Sequence, residues 1–299
     1  MSLFSSLKSY VPRGARYKTK ALLEYATSLR TVQRDLDRFI LIGTHHKTGT
    51  VWMRGIFSQL ALLYGYTFRN YTRGLESSYE FSLLFDTHSQ FDLTAFDQVP
   101  YRGMHLIRDP RDLIVSGCYY HQKSTETWLH VPHQKYNGMT YQEKINSFPS
   151  MHDRLLFEME EGAAGAIRDM SQWNYRNPAF IEVKYEDLIA DYDLTLFHQI
   201  FSFIGVEGKM IPKALELAWK NSLFSNRLAP NFHRRSGKAS QWTQYFESSH
   251  KQRFLELFGD VLVRLGYEED NTWVELSRTC EEVAIDGIEQ PHTTDILRH

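Results

Sequence analysis

Three short runs of apolar residues stand out along the chain, and each leads into a stretch with helical spacing of its apolar positions. The runs cover residues 38–43 (RFILIG), 103–108 (GMHLIR) and 179–185 (AFIEVKY). Short apolar runs bounded by such segments are typical of buried strands. Strands that alternate with helices predict an α/β fold of three layers, in which helices flank a central, mostly parallel β-sheet.

The predicted helices have recognisable ends. Asp109 and Pro110 suit the N-cap and the first position of one helix. A second helix is expected to end at Gly205 and a third at Gly266, because glycine is common just after a helix. Each has an apolar face, which we assign to the core. These faces are Leu194, Phe197, Ile200, Phe201 and Ile204 in the second, and Phe254, Leu257, Phe258, Val261, Leu262 and Leu265 in the third.

The same pattern divides the chain into segments. Residues 1–37 are predicted to form an N-terminal arm, 38–267 one α/β domain and 268–299 a polar C-terminal extension. Within the domain, residues 122–178 are interrupted by prolines and glycine, which is typical of an excursion on the substrate side, although the stretch could equally contain helices.

Composition narrows the functional classes. The 299 residues carry 34 Lys and Arg against 36 Asp and Glu, a net charge of −2, so an anion site must be local. Only Cys118 and Cys280 are present, which favours a reducing compartment over a disulfide framework. No apolar run approaches a membrane span, and no secretory signal is visible. We therefore expect a cytoplasmic protein without a transmembrane segment and without nucleic acid as its partner.

The loop at 43–52 (GTHHKTGTVW) carries the first candidate chemistry. A glycine-containing loop between a strand and a helix presents backbone N–H groups to an anion, and Lys47 adds a full positive charge. The Walker A pattern requires glycine where Thr48 stands, and it places the lysine after that glycine. The loop is therefore not that of an ordinary P-loop kinase.

Four segments in order resemble the sulfotransferases that use 3′-phosphoadenosine 5′-phosphosulfate (PAPS). The loop is similar to their Lys-Ser-Gly-Thr-Thr-Trp, and RDPRDLIVSGCYYH (108–121) to their segment for the 3′-phosphate. EVKYEDL (182–188) resembles their Tyr-Glu-Asp stretch, and RRSGKASQW (234–242) their Arg-Lys-Gly-x-x-Gly-Asp-Trp. The resemblance implies a P-loop-like fold, PAPS as cofactor, 3′-phosphoadenosine 5′-phosphate (PAP) as product and no metal.

The resemblance also implies the cofactor site. Lys47 is expected to neutralise the 5′-phosphate and the bridging oxygen, where negative charge grows during transfer. Other groups are expected to hold the 5′-phosphate, the 3′-phosphate and the adenine. The full set is Lys47, Thr48, Gly49, Thr50, Val51, Trp52, Arg108, Ser116, Tyr185, Phe224, Arg235, Ser236 and Gly237. Two members depart from the family pattern, since Val51 replaces a threonine and Ser236 a lysine.

An acceptor hydroxyl must lose a proton, and histidine is suited to this task. Of the 13 histidines, the resemblance selects His88 as the general base. Asp86 stands where the family usually has lysine, and we expect it to orient His88 or to bind a cationic acceptor; a role as the base itself is the lesser alternative.

The acceptor is predicted to be a small alcohol or phenol, with an amine also open. His46, Asp86, Phe85 and Tyr120 are the candidate substrate residues, within a set of aromatic residues that would form an apolar wall. The wall would comprise Tyr79, Phe81, Phe85, Tyr119, Tyr120 and Trp128.

A metal site is not expected, because neither His45–His46 nor His130–His133 has a third clustered ligand. Two alternatives stay open, a PAPS- or PAP-binding protein impaired in catalysis and a nucleotide kinase with an aberrant loop. Oligomeric state is not predicted.

Overall fold

A parallel five-stranded sheet forms the centre of the protein. The computed structural model describes residues 38–71, 82–96, 99–222 and 238–275. The sheet has the order β2-β3-β1-β4-β5, and each neighbouring pair is parallel. This confirms the predicted α/β fold class. The strands are β1 (Phe39–Gly43), β2 (Phe68–Asn70), β3 (Leu83–Asp86), β4 (Tyr101–Ile107) and β5 (Phe180–Lys184).

Helices surround this sheet. In chain order they are α1 (Thr50–Tyr64), α2 (Pro110–His121), α3 (Tyr141–Ser147), α4 (Met151–Phe157), α5 (Ala164–Gln172), α6 (Tyr185–Ala190), α7 (Thr195–Phe203), α8 (Ile211–Asn221), α9 (Ser248–Phe258) and α10 (Val261–Arg264). A π-helical turn, Glu158–Gly162, joins α4 to α5. No helix in the described ranges is both long and apolar enough to cross a bilayer.

Two main clusters of buried side chains hold the layers together. The first packs α1, α7 and α8 against one face of the sheet, with Phe57 and Phe201 fully buried in it. The second joins α2 to the helices of 122–178 and to α9 and α10, with Leu113 and Phe254 at its centre. The stretch 122–178 therefore consists largely of packed helices and short turns.

Most predicted helix ends are correct. Asp109 caps α2 by accepting a hydrogen bond from the backbone N–H of Arg111 at 2.9 Å, and Pro110 is its first residue. The third predicted helix is wrong in one respect. It breaks at Gly259 into α9 and α10, and Leu257, which the apolar pattern assigns to the core, is 38% exposed on α9.

Candidate active site

The carboxyl ends of the parallel strands gather the predicted site residues at one edge of the sheet. β1 lies between β3 and β4, with Gly43 paired to Asp86 on one side and to His105 on the other. The connection after β1 leads to β2 on one side, and the connection after the neighbouring β4 leads to β5 on the other side. Ligands of open α/β sheets bind at such a switch point. The loop 44–49, the turn after β3, Arg108 and Tyr185 all lie at this edge.

The loop 44–49 is held by its own hydroxyl groups. The side chains of Thr48 and Thr50 both donate to the carbonyl oxygen of His45, at 2.8 and 2.7 Å, and Thr44 and Thr50 share a 3.0 Å hydrogen bond. Lys47 and Gly49 have φ angles of 66° and 106°, which turn the backbone sharply. No side chain caps α1, so the amides of its first turn, which lack intrahelical acceptors, are available to an anion.

Lys47 contacts an aromatic ring predicted to line the acceptor site. Its Nζ lies 3.5 Å from the centroid of the Tyr120 ring, a cation–π contact. The hydroxyl of Tyr120 donates to Oε1 of Glu126 at 2.9 Å, which holds the ring in place. The structure thus brings Lys47 and Tyr120 together although they are far apart in the chain.

Arg108 is buried at the end of β4. Its Nη1 donates to the carbonyl oxygen of Lys47 at 3.1 Å, and its Nη2 lies 3.6 Å from Oδ2 of Asp112. Its Nε is buried and has no hydrogen-bond partner among the described residues. Asp112 alone therefore does not satisfy this guanidinium. Burial raises the pKa of Asp112, while the charge of Arg108 opposes that shift.

Trp52 and Tyr185 form an aromatic wall next to the loop. Their ring centroids are 6.2 Å apart with the planes nearly perpendicular. A Cβ on Gly49 would lie 3.2 Å from Cδ2 of Tyr185, so glycine lets the loop backbone approach this ring closely. The Nε1 of Trp52 is buried without a hydrogen-bond partner in the described part of the chain.

Asp86 has a structural contact that the sequence did not reveal. Its two carboxylate oxygens accept hydrogen bonds from the backbone N–H groups of His88 and Gln90, at 2.9 and 2.6 Å. It therefore shapes the turn that carries His88 instead of holding the His88 ring. Burial raises the pKa of Asp86, and the two amide bonds partly offset that shift.

His88 and Phe85 occupy opposite environments. The His88 side chain is exposed at the carboxyl edge, while Phe85 is fully buried in the core, 6.1 Å from Phe68 between ring centroids. The prediction that Phe85 contacts substrate is wrong, because its place on β3 turns the side chain into the core.

The remaining predicted residues divide into two groups. Val51 is 52% exposed in the first turn of α1. Ser116 is half-buried on α2, and its hydroxyl makes no hydrogen bond to another described residue. Six predicted residues lie outside the described residues. They are Phe224, Arg235, Ser236 and Gly237 of the cofactor site and Tyr79 and Phe81 of the predicted acceptor wall.

The two adjacent histidines of the loop enter separate hydrogen-bonded chains. The first chain runs from His45 to His105 (Nε2 to Nε2, 2.9 Å) and on from His105 Nδ1 to Oε2 of Glu182 at 2.6 Å. Trp173 stacks on His105 and donates to the other oxygen of Glu182 at 2.7 Å. Burial lowers the pKa of His105 to about 3 and raises that of Glu182 to about 7.

The second chain starts at His46. Its Nε2 lies 2.9 Å from Nε2 of His121, and Nδ1 of His121 lies 2.8 Å from Oε2 of Glu158. The hydroxyl of Tyr141 donates to the same carboxylate oxygen at 2.7 Å. Burial lowers the pKa of His46, and the nearby His121, Lys47 and His88 lower it further. Sequence reasoning missed His121 and Glu158, since no local spacing relates them to the loop.

One cluster away from this edge has a composition typical of metal ligands. His152, Glu247 and His250 place their ligand atoms within 4.8 Å of one another. Both nitrogens of His250 are already engaged, however. Nδ1 accepts from the backbone N–H of Glu247 at 3.0 Å, and Nε2 lies 3.1 Å from the carbonyl oxygen of His152. The cluster is therefore a cap for α9.

Comparison with known proteins decides the family. The profile of the sulfotransferase domain matches residues 37–266. The chain belongs to the sulfotransferase domain family. No curated protein sequence matches this sulfotransferase. Among solved structures, mouse sulfotransferase SULT7A1 complexed with PAP is 14% identical with a TM-score of 0.50, and the match covers 82% of this chain and 89% of that one. A retinol dehydratase in a complex with retinol and PAP is 13% identical with a TM-score of 0.44, covering 81% and 86%.

Proposed function

We propose that this sulfotransferase takes its sulfuryl group from PAPS and transfers it to a hydroxyl or an amine of a small acceptor. One observation carries the proposal. The uncapped start of α1, the partly unsatisfied guanidinium of Arg108 and the wall of Trp52 and Tyr185 lie around one loop. They match the three parts of a 3′-phosphorylated adenosine, which are the 5′-phosphate, the 3′-phosphate and the base.

The residues present fit such a ligand chemically. Arg108 offers a buried Nε–H that has no partner among the described residues, and a planar guanidinium suits a phosphate. Gly49 leaves the loop backbone open to close approach, and the first amides of α1 offer donors to a second phosphate. Bound PAPS would supply an activated sulfuryl group for transfer.

The residues of the chain would then supply binding and charge neutralisation. Lys47 would hold the 5′-phosphate and stabilise the charge that develops on its bridging oxygen, as is usual for transfers of this kind. His88, on the turn shaped by Asp86, would accept the proton of the acceptor. Tyr120 and Trp128 would contribute an aromatic wall, which suits a small alcohol or phenol.

Thermal unfolding with PAP and, separately, with AMP tests the proposal, because AMP lacks only the 3′-phosphate. Ligand at 100 times its Kd adds about 2.7 kcal/mol, which raises Tm by several degrees. We expect a rise with PAP and a much smaller rise with AMP. Equal shifts would favour a nucleotide kinase, and PAP binding without turnover of PAPS would favour a protein that has lost catalysis.

A further inference from the structure

The chain His46–His121–Glu158 ends in the interior of the protein. His121 and Glu158 have no exposed surface, and Tyr141 at the end of the chain is 4% exposed. His46 is only partly buried. Of the described residues in this hydrogen-bonded chain, His46 is the most exposed, so protons would exchange with the site through it.

The hydrogen bonds define which nitrogen of His46 is open. Oε2 of Glu158 accepts from the hydroxyl of Tyr141, and with this oxygen also the acceptor for His121, Nδ1 of His121 carries the proton and its Nε2 is a lone pair. Nε2 of His46 must then donate to that lone pair. Nδ1 of His46 is left unprotonated, and no described residue donates to it. A carboxylate that fixes a histidine tautomer in this way is a common device for orienting a base.

The fold makes specific room for this carboxylate. A Cβ on Gly117 would lie 2.3 Å from Oε1 of Glu158, and a Cβ on Gly162 would lie 2.6 Å from it. Glu158 also begins the π-helical turn, a feature often found at functional sites. Burying a carboxylate with one oxygen unpartnered among the described residues costs stability, so a packed apolar side chain would stabilise the fold better.

We propose that His46 is a second catalytic base of this site, and that His121 and Glu158 are its positioning residues. The inference rests on the proposed sulfuryl transfer. When His46 acts in place of His88, the acceptor O–H bond breaks and its proton goes to Nδ1 of His46, while the oxygen forms a bond to sulfur. The bond from sulfur to the donor oxygen breaks, and its electron pair stays on the 5′-phosphate.

The positive charge does not have to remain on His46. Its Nε2 proton can move to Nε2 of His121, which is then an imidazolium beside the carboxylate of Glu158. The titratable groups around His46 are Lys47, His88, Tyr120 and His121. Among the described residues, His121, Lys47 and His88 favour the neutral base. Glu158, through its hydrogen bond to His121, favours the protonated form of the pair.

The hydrogen-bonded chain that starts at His45 shows what distinguishes the two adjacent loop histidines. His45 is 1% exposed, and its Nδ1 is buried without a partner among the described residues. An acceptor cannot reach that nitrogen. The His45–His105–Glu182 chain is therefore structural, and His46 is the member of the pair that faces the site.

The first test measures the tautomer in the full chain without any ligand. In long-range ¹H–¹⁵N spectra of ¹⁵N-histidine-labelled protein, His46 should show a protonated Nε2 and an unprotonated Nδ1. The His46→Gln spectrum identifies its signals. A protonated Nδ1 in the wild-type protein at neutral pH would overturn the proposal, whether or not the enzyme turns over PAPS.

The second test measures turnover of PAPS with the best acceptor from a panel of phenols, alcohols and amines. His46→Gln should lower kcat about tenfold alone and about 100-fold in the His88→Asn background, within the usual range for a general base. Glu158→Gln in that background should move the acid limb of the kcat profile to lower pH, because the imidazolium loses its counter-charge. His198→Asn, at an exposed position of α7, is the control.

The outcomes separate the two proposals. Absence of PAP binding by the wild-type protein would reject the proposed function. The tautomer of His46 would still test the hydrogen bonds of the His46–His121–Glu158 chain. A second outcome is that the wild-type protein binds PAP and turns over PAPS while the His46→Gln, His88→Asn double variant is no slower than His88→Asn. That result would reject the second base and leave the proposed function intact. An acid limb that Glu158→Gln leaves in place would reject the positioning role.

Discussion

The guanidinium of Arg108 lies 4.5 Å from the centroid of the Tyr185 ring, and its Nη1 donates to the carbonyl oxygen of Lys47 at 3.1 Å. One side chain thus joins the loop 44–49 to the pair of Trp52 and Tyr185.

Replacement of Arg108 by lysine tests its role towards the 3′-phosphate. Lysine keeps the charge but loses the planar fork, so Arg108→Lys should weaken PAP binding about 10- to 100-fold, the equivalent of about 1.5–3 kcal/mol for a hydrogen bond to a charged group. AMP binding should change less. Titration calorimetry with both nucleotides measures the selectivity, and the exposed Arg176→Lys is the control. Unchanged selectivity would remove Arg108 from the site.

Gly49 can be compared directly with Gly138. Both have positive φ angles, 106° and 86°, but a Cβ on Gly138 meets no atom within 4 Å. Each alanine variant should lose about 1–2 kcal/mol of stability through backbone strain. Only Gly49→Ala should also weaken PAP binding, because its methyl group stands against Tyr185. Chemical denaturation and calorimetry separate the two effects, and equal PAP affinities would show that the close approach is unimportant.

Lys47→Ala should remove the cation that we propose to stabilise the breaking bond. We expect kcat to fall at least 100-fold, which is typical for loss of one stabilising group, and PAP binding to weaken as well. Lys135→Ala, on the exposed surface, should leave both kcat and PAP affinity unchanged. Single-turnover measurement of PAPS consumption gives the rate, and wild-type kcat in Lys47→Ala would contradict the proposed role.

His88→Asn should separate binding from chemistry. The exposed ring makes no contact that the described nucleotide site requires, so PAP affinity should stay within threefold of wild type. Turnover should fall about 100-fold, in line with loss of a general base. A parallel loss of PAP affinity would indicate instead that the turn after β3 had changed shape, which Asp86→Asn would reproduce.

The pair His105 and Glu182 has a characteristic dependence on pH. Burial holds the pKa of His105 at about 3 and raises that of Glu182 to about 7, from ordinary values of 6.5 and 4.5. Between about pH 5 and 6 the unfolded pair holds one proton on the histidine, and the folded pair holds one on the carboxyl group. The numbers of bound protons are equal, so the pair adds no pH dependence to the free energy of unfolding in that window.

Glu182→Gln removes this balance. His105 alone then destabilises the fold as pH falls below 6.5, by up to about 1.4 kcal/mol per pH unit relative to wild type. His105→Gln should give the opposite slope, with stability falling as pH rises from 4.5 towards 7. Urea unfolding at several pH values measures both differences. Parallel curves for wild type and Glu182→Gln would show that folding does not raise the pKa of Glu182, which would contradict this account.

Local signals made most of the fold predictable. Asp109 and Pro110 mark the start of α2, and β1, β4 and β5 fall on short stretches that are rich in apolar residues. β2 and β3 were not predicted, because strands of three and four residues are too short to show a pattern. The loop and Arg108 were recognisable because their motifs are contiguous.

Contacts between distant residues were not predictable. His46 and His121 are 75 positions apart, and Glu158 lies a further 37 along. The two backbone amides that donate to Asp86 could not be predicted either, because a carboxylate in the sequence does not show which donors will reach it. In each case the deciding partner is supplied by packing of separate elements.

The two adjacent loop histidines are fastened to different layers. His45 is bonded to the sheet through β4, and His46 to the helical layer through α2. The loop cannot move with the sheet without lengthening the His46–His121 hydrogen bond, and it cannot move with the helical layer without lengthening the His45–His105 hydrogen bond. A nucleotide should therefore find the loop already ordered, and its association should lose little conformational entropy of the protein.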